Sequence, residues 1–298
     1  MHKRSNLAIY LTAAILLALT ACGSVWDLEI AHAIYIGETP SENMLGIIFS
    51  LIGVIPTFVG WSFLGAIIFV CAKKQMENIG KRRRLTAFAI LLFLLSFFYF
   101  CNTLYISNAN AFKIHFAVAY SIGLAVICLA AYLGYRLAKK CGGEELLKTA
   151  LLLATVSLVA LLIISCTKEI LCRPRFRFVL AMDNADYFRN WCQSGRSLKK
   201  SLDTGTVTDE FASFPSGHSA YAMFAIFLLP SLGDHVSGLK KYKPFLFAFG
   251  LVWWGITALS RLTTGAHYLT DVTIAGLVTI LAHAAVLSAV KTYRKRSE

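Results

Sequence analysis

Eight apolar runs, each about as long as a bilayer is thick, constrain this chain more than anything else in it. Crossing the hydrocarbon core takes about 17 to 25 predominantly apolar residues in a helix. Such runs lie at roughly 6 to 22, 45 to 72, 85 to 106, 115 to 137, 149 to 167, 216 to 232, 244 to 260 and 267 to 290. In lipid only a helix or a closed barrel satisfies its own backbone. The runs therefore predict an all-α polytopic transmembrane bundle of about eight spans. With 57% hydrophobic and 15% charged residues over 298 positions, the chain has too little charge for a soluble domain.

The positions of the basic residues orient the bundle, because cytoplasmic loops keep an excess of lysine and arginine. Lys3 and Arg4, Lys73 to Arg84, Arg136 to Lys148, Lys240 to Lys243 and Lys291 to Arg296 all fall on one side of the predicted spans. That side is expected to be cytoplasmic and to hold both termini. The net charge of +13 comes largely from these juxtamembrane clusters, which suit anionic lipid headgroups better than nucleic acid. Residues 24 to 44 carry Asp27, Glu29, Glu38 and Glu42 without a basic residue, as an external segment should. The spacing of Trp26, Ile30, Ala33 and Ile34 predicts a short interfacial helix there. Leu19 to Cys22 resembles a lipoprotein cleavage site, but a first span of a polytopic chain reads the same and is preferred. The eight cysteines form no CxxC pair; Cys172 and Cys192 flank one outer loop, so a disulfide between them is left open.

Pro56 predicts a kink in the second span. The turn at 107 to 115, with Asn108, Asn110, Lys113 and His115, reads as a hydrated loop. Residues 173 to 214 are the one sizeable polar excursion, of a length suited to a lid or binding loop. His2, His32, His235 and His283 are read as terminal, loop or packing residues. His283 lies about 24 Å along a helix from His267 at 1.5 Å per residue, too far to share a site with it.

Ionisable residues in or beside a span are costly and mark sites by default. Here they gather at one predicted membrane face. Lys168 and Arg175 follow the fifth span, Pro215 to His218 open the sixth, Ser260 and Arg261 close the seventh, and His267 and Asp271 begin the eighth. Three strong cations at one depth repel unless an anion sits between them, and arginine's forked donors match phosphate oxygens. Ser216 and Gly217 add backbone N–H groups at a helix start, where anions are favoured. His267 and Asp271 are four apart on a helix, so the carboxylate can take one ring N–H and turn the other nitrogen outward as a nucleophile. His218 can then protonate a leaving oxygen. Two histidines and an aspartate are also metal-ligand types, but a divalent ion would add to positive charge that a phosphate would cancel.

These residues resemble the three motifs of the type 2 phosphatidic acid phosphatase and vanadium haloperoxidase superfamily, KxxxxxxRP, PSGH and SRxxxxxHxxxD. KEILCRPRF at 168 to 176 matches the first, with Phe176 in place of proline; Pro215 to His218 and Ser260 to Asp271 match the second and third in full. The resemblance implies a membrane-bound lipid phosphatase with His267 as the nucleophile that becomes a phosphohistidine, His218 as general acid and Asp271 as orienting partner. It also implies Lys168, Arg175, Arg261, Ser216 and Gly217 as phosphate ligands, and neither metal nor other cofactor. Expected substrates are polyprenyl diphosphate, phosphatidate or phosphatidylglycerophosphate, hydrolysed at the external face. The alternatives are a sugar-phosphate phosphatase of the glucose-6-phosphatase type, a haloperoxidase, whose branch is soluble, and an inactive transporter or scaffold. Membrane members commonly have six spans, so two are extra here. The expected organisation is one domain over 1–298, with N-terminal spans in 1–148 and a catalytic core in 149–291 that carries loop 173–214. No nucleic-acid partner is expected.

Overall fold

The computed structural model describes residues 2–111, 115–202 and 208–297. Lys113 of the outer turn and residues 203–207 of the outer loop lie outside them, as do the side chains of Asn108 and Asn110. The described chain is helical with no strand: α1 (His2–Ile34), α2 (Met44–Ile52), α3 (Ile55–Gln75), α4 (Ile79–Ala111), α5 (Phe116–Cys141), α6 (Glu144–Leu171), α7 (Phe176–Ala181), α8 (Arg196–Ser201), α9 (Gly217–Met223), α10 (Ala225–His235), α11 (Lys243–Thr263) and α12 (Leu269–Ser297). It is an all-α polytopic bundle, and seven of its helical stretches are long and apolar enough to cross a membrane.

The expected count of eight differs from these seven at one place. The run at 216 to 232 emerges as α9 and α10, which meet at Phe224, and neither alone is long enough to span. Two further boundaries also differ from expectation. The second span is interrupted rather than kinked: α2 stops at Ile52, and α3 starts afresh with Pro56 in its first turn. Proline there removes only an N–H that a helix start leaves unpaired anyway. The separate interfacial helix expected within 24 to 44 is instead the end of α1, which runs on to Ile34 and departs from helical dihedrals only at Trp26, with φ −121° and ψ 25°.

The chain forms two compact units, each assembled from separate segments. One comprises residues 1–50, 159–220 and 254–282, the other 51–158, 221–253 and 283–298. In the second, α3 packs against α4 and α5, burying Trp61, Leu64, Ile67, Ile68 and Cys71. Trp61 satisfies its indole by donating to Ser157 Oγ at 2.8 Å, as a buried Trp N–H requires. His283 stacks on Phe227, with ring centroids 4.0 Å apart and planes at 9°, and His235 meets Thr149 Oγ1 at 3.1 Å. Both are packing residues. Leu94 and Phe98 of α4 and Leu129 and Leu133 of α5 face outward, the arrangement of a bundle solvated by lipid.

The first unit holds every polar motif. α1 and α12 lie close: Thr20 and Thr273 share a hydrogen bond of 2.8 Å, and a Cβ on Gly23 would come within 2.9 Å of both Asp27 Oδ1 and Thr270 Cγ2. Loop 173–214 carries α7 and α8 and folds onto α1. Trp191 Nε1 donates to Ser24 Oγ at 2.9 Å, and Asn190 Nδ2 donates to the Ser24 carbonyl at 3.0 Å. Cys172 is buried and Cys192 exposed, each a free thiol. His115 caps α5, accepting from the Ala117 N–H at 3.3 Å.

Candidate active site

The site is built where the C-terminus of α6, the start of α9 and the turn from α11 to α12 meet within the first unit. Gly265 makes the last of these possible. Its φ of +62° lets the chain reverse two residues after α11 ends, and the Ala266 and His267 N–H groups both donate to the Arg261 carbonyl, at 3.1 and 3.2 Å. Arg261 and His267 are thereby fixed to one short stretch of backbone. α12 then opens with Asp271 in its first turn, accepting the Tyr268 N–H at 2.9 Å. An acidic side chain three residues into a helix that reaches back to the residue before it caps that end.

Asp271 is fully buried and accepts from every side. Oδ1 receives Arg173 Nη1 at 2.5 Å, and Oδ2 receives Ser213 Oγ at 2.5 Å as well as the Tyr268 N–H. His267 Nδ1 stands 3.6 Å from Oδ2, an ion-pair distance beyond hydrogen-bond length. Among the described residues that nitrogen has no hydrogen-bond partner. Burial is the main cause of a His267 pKa pushed down to about 3; Asp271 opposes the shift, and Arg175 and Lys168 add to it. The imidazole is therefore neutral at pH 7.

His218 and the cations surround this imidazole. His218 lies within electrostatic reach of Arg261, His267, Arg175 and Lys168, and its Nε2 is 3.1 Å from the Ser50 carbonyl. Arg261 donates from Nη1 to Ser50 Oγ, while its Nε is buried without a partner among the described residues. Lys168 Nζ donates to the Ala212 carbonyl and lies within electrostatic reach of Arg175 and Arg261. Arg175 donates from Nη1 to the Ala266 carbonyl at 3.2 Å and from Nη2 to both oxygens of Asp209, at 3.0 and 3.1 Å. The surrounding arginines and Lys168 hold the Asp209 carboxyl below its ordinary range. Among the described residues, neither Lys168 nor Arg261 has a carboxylate within ion-pairing distance, so the group carries excess positive charge.

All eight residues singled out in the sequence thus belong to the first unit, and the side chains of His218, His267, Asp271, Lys168, Arg175 and Arg261 come together. Ser216 enters differently from expectation. Its N–H donates to the Asp271 carbonyl at 3.0 Å, so it ties the PSGH segment to the HxxxD segment, and Gly217 begins α9. Sequence reasoning missed four neighbours. Arg173, wholly buried, joins Asp271 to Asp27; Ser213 holds Asp271; Ser50 touches both Arg261 and His218. For Arg173 the signal was present in CRPRF, where a second arginine sits beside proline two residues before Arg175.

The helices and this buried cationic, imidazole-bearing site define the class as a polytopic membrane protein equipped to handle phosphate. The chain belongs to the PAP2 superfamily, whose profile matches residues 145–295. No curated protein and no solved structure matches it significantly. Membership carries phosphatase-type chemistry with it.

Proposed function

We propose that the protein hydrolyses lipid-borne phosphomonoesters or diphosphates at the external membrane face, with His267 as nucleophile. The observation that carries the reading is a buried cluster of cations around two imidazoles, in which a donor of Arg261 lacks an acceptor. A buried unpaired N–H is costly, and a phosphoryl oxygen would accept from it. Lys168, Arg175 and Arg261 bind the nonbridging oxygens, and the Gly217 N–H at the start of α9 assists. Because His267 Nδ1 faces Asp271, Nε2 is the nitrogen that attacks phosphorus. As that bond forms, the bond to the leaving oxygen breaks and His218 delivers a proton to the departing oxygen. Water then attacks the phosphohistidine, gives its proton to His218 and releases inorganic phosphate. A substrate whose tail stays in the bilayer suits a site built at the ends of spans.

The test is phosphate release by the purified chain in detergent with chelator present, using a polyprenyl diphosphate, phosphatidate and phosphatidylglycerophosphate as the panel. At least one is expected to be turned over, and vanadate to inhibit. His267→Ala is expected to lower kcat by about three orders of magnitude or more. Unchanged turnover in that variant would remove His267 from its role.

A further inference from the structure

Asp271 faces a contradiction as a partner for the nucleophile. Its job in the proposed reaction is to stabilise the positive charge that the His267 ring acquires when Nε2 bonds to phosphorus while Nδ1 keeps its proton. Yet Asp271 is already paired with the Arg173 guanidinium at 2.5 Å, with both side chains excluded from solvent. A carboxylate neutralised by its own arginine has little net field to offer. The first helix supplies what is missing. Asp27 pairs with the other end of the same guanidinium, Nη2 to Oδ2 at 2.9 Å, and is itself buried.

The hydrogen bonds around Asp27 favour its ionised form. Oδ1 accepts the Thr270 N–H at 3.0 Å, and Oδ2 accepts from Arg173 and from the Thr270 hydroxyl. That hydroxyl can donate to Asp27 because it accepts Arg173 Nη1 at 2.9 Å. The guanidinium and backbone N–H groups on Asp27, as on Asp271, can only donate, and such donors favour the ionised carboxylate. Arg173 is locked between them: Nε donates to the Arg189 carbonyl at 2.7 Å, and the guanidinium carbon lies 4.1 Å from the centre of the Tyr268 ring.

We infer that Asp27 is a positioning residue for catalysis, which sets the triad Asp27–Arg173–Asp271 at a net charge of −1 and so keeps Asp271 able to stabilise the phosphorylated His267. This inference rests on the proposed reaction. It assigns α1, which lies outside the family-matched residues, a part in the chemistry rather than only in packing.

Charge and support are separated by three variants assayed with whichever lipid of the panel is turned over fastest, each checked for a monodisperse chromatographic peak and its melting temperature. Asp27→Asn keeps the shape and takes the triad to zero; kcat is expected to fall about 10- to 100-fold, with KM changed less than about twofold. The double variant Asp27→Asn with Arg173→Gln removes one charge of each sign and returns the triad to −1. It is expected to recover at least about fivefold in kcat over Asp27→Asn, although it has lost more hydrogen bonds. Asp27→Glu keeps the charge and, if it folds, should be more active than Asp27→Asn. Wild-type kcat in Asp27→Asn overturns the inference, as does a double variant no better than the single one. If Asp27→Asn is recovered only as aggregate, the double variant carries the test, and a monodisperse double variant with less than about one-hundredth of the wild-type kcat overturns the inference. Failure of the underlying reaction shows up separately, as an inactive wild type or an unaffected His267→Ala.

Discussion

A buried guanidinium needs an anion, and the arginines of this site meet that need in different ways. Arg173 is enclosed by two carboxylates, Arg175 shares an exposed one from the outer loop, and Arg261, among the described residues, has a serine hydroxyl and no carboxylate. In the proposed reaction, the one least satisfied by protein is the one that receives substrate. His267 obeys the same electrostatics from the opposite direction: burial keeps it neutral, with a pKa near 3 against about 6.5 in an unfolded chain. Below about pH 6.5 the unfolded chain takes up a proton that the folded chain refuses. Stability must then fall with falling pH, by up to about 1.4 kcal/mol per unit from this residue alone, and flatten again only below about pH 3. His267→Gln abolishes that component. Melting curves in detergent at pH 7 and pH 5 should show the wild type losing more stability than the variant; parallel losses would contradict the burial of a neutral imidazole.

At the level of elements, the parts legible in the sequence were those encoded locally. Apolar runs gave the long helices, and KEILCRPRF, PSGH and SRxxxxxHxxxD gave the three segments that meet at the site. What stayed hidden depends on residues distant in sequence: Asp27 lies 146 positions from Arg173, and Ser50 lies 211 from Arg261. Asp27 read as an ordinary external acid because nothing near it in the chain signals a buried partner. Likewise the end of α1 reads as a separate segment, because Asp27 looks solvated in the sequence, whereas it pairs with Thr270 of α12. The turn from α11 to α12 is both legible and testable. Gly265 holds φ +62°, and a Cβ there would lie 3.0 Å from the Tyr35 ring and 3.1 Å from Arg177 Cβ. Gly265→Val should cost about 1–3 kcal/mol of stability and displace His267, lowering kcat. Gly265→Asn should cost less, since asparagine tolerates left-handed backbone better. Equal melting temperatures for the two variants would show that the turn does not depend on that conformation.

For the whole molecule, the question is which way the bundle faces, and it turns on parity. Among the described residues seven helical stretches qualify as spans, which would put the termini on opposite sides. However, α9 and α10 follow one another from Gly217 to His235 with only Phe224 between them, and Phe224 keeps right-handed helical dihedrals of φ −55° and ψ −24°. Together they are long enough for an eighth crossing, which would return both termini to one side, as the lysines and arginines that crowd the sequence near Lys81 to Arg84 and Lys291 to Arg296 lead one to expect. Loop 173–214 then faces the opposite side, and Cys192 offers a probe because its thiol is free and exposed. In intact cells a membrane-impermeant maleimide should label the wild type but not Cys192→Ser, while a C-terminal epitope should become accessible to antibody only after permeabilisation. Labelling of Cys192 and the epitope from the same side would mean an even number of crossings between them, and α9–α10 would then have to fold back without spanning.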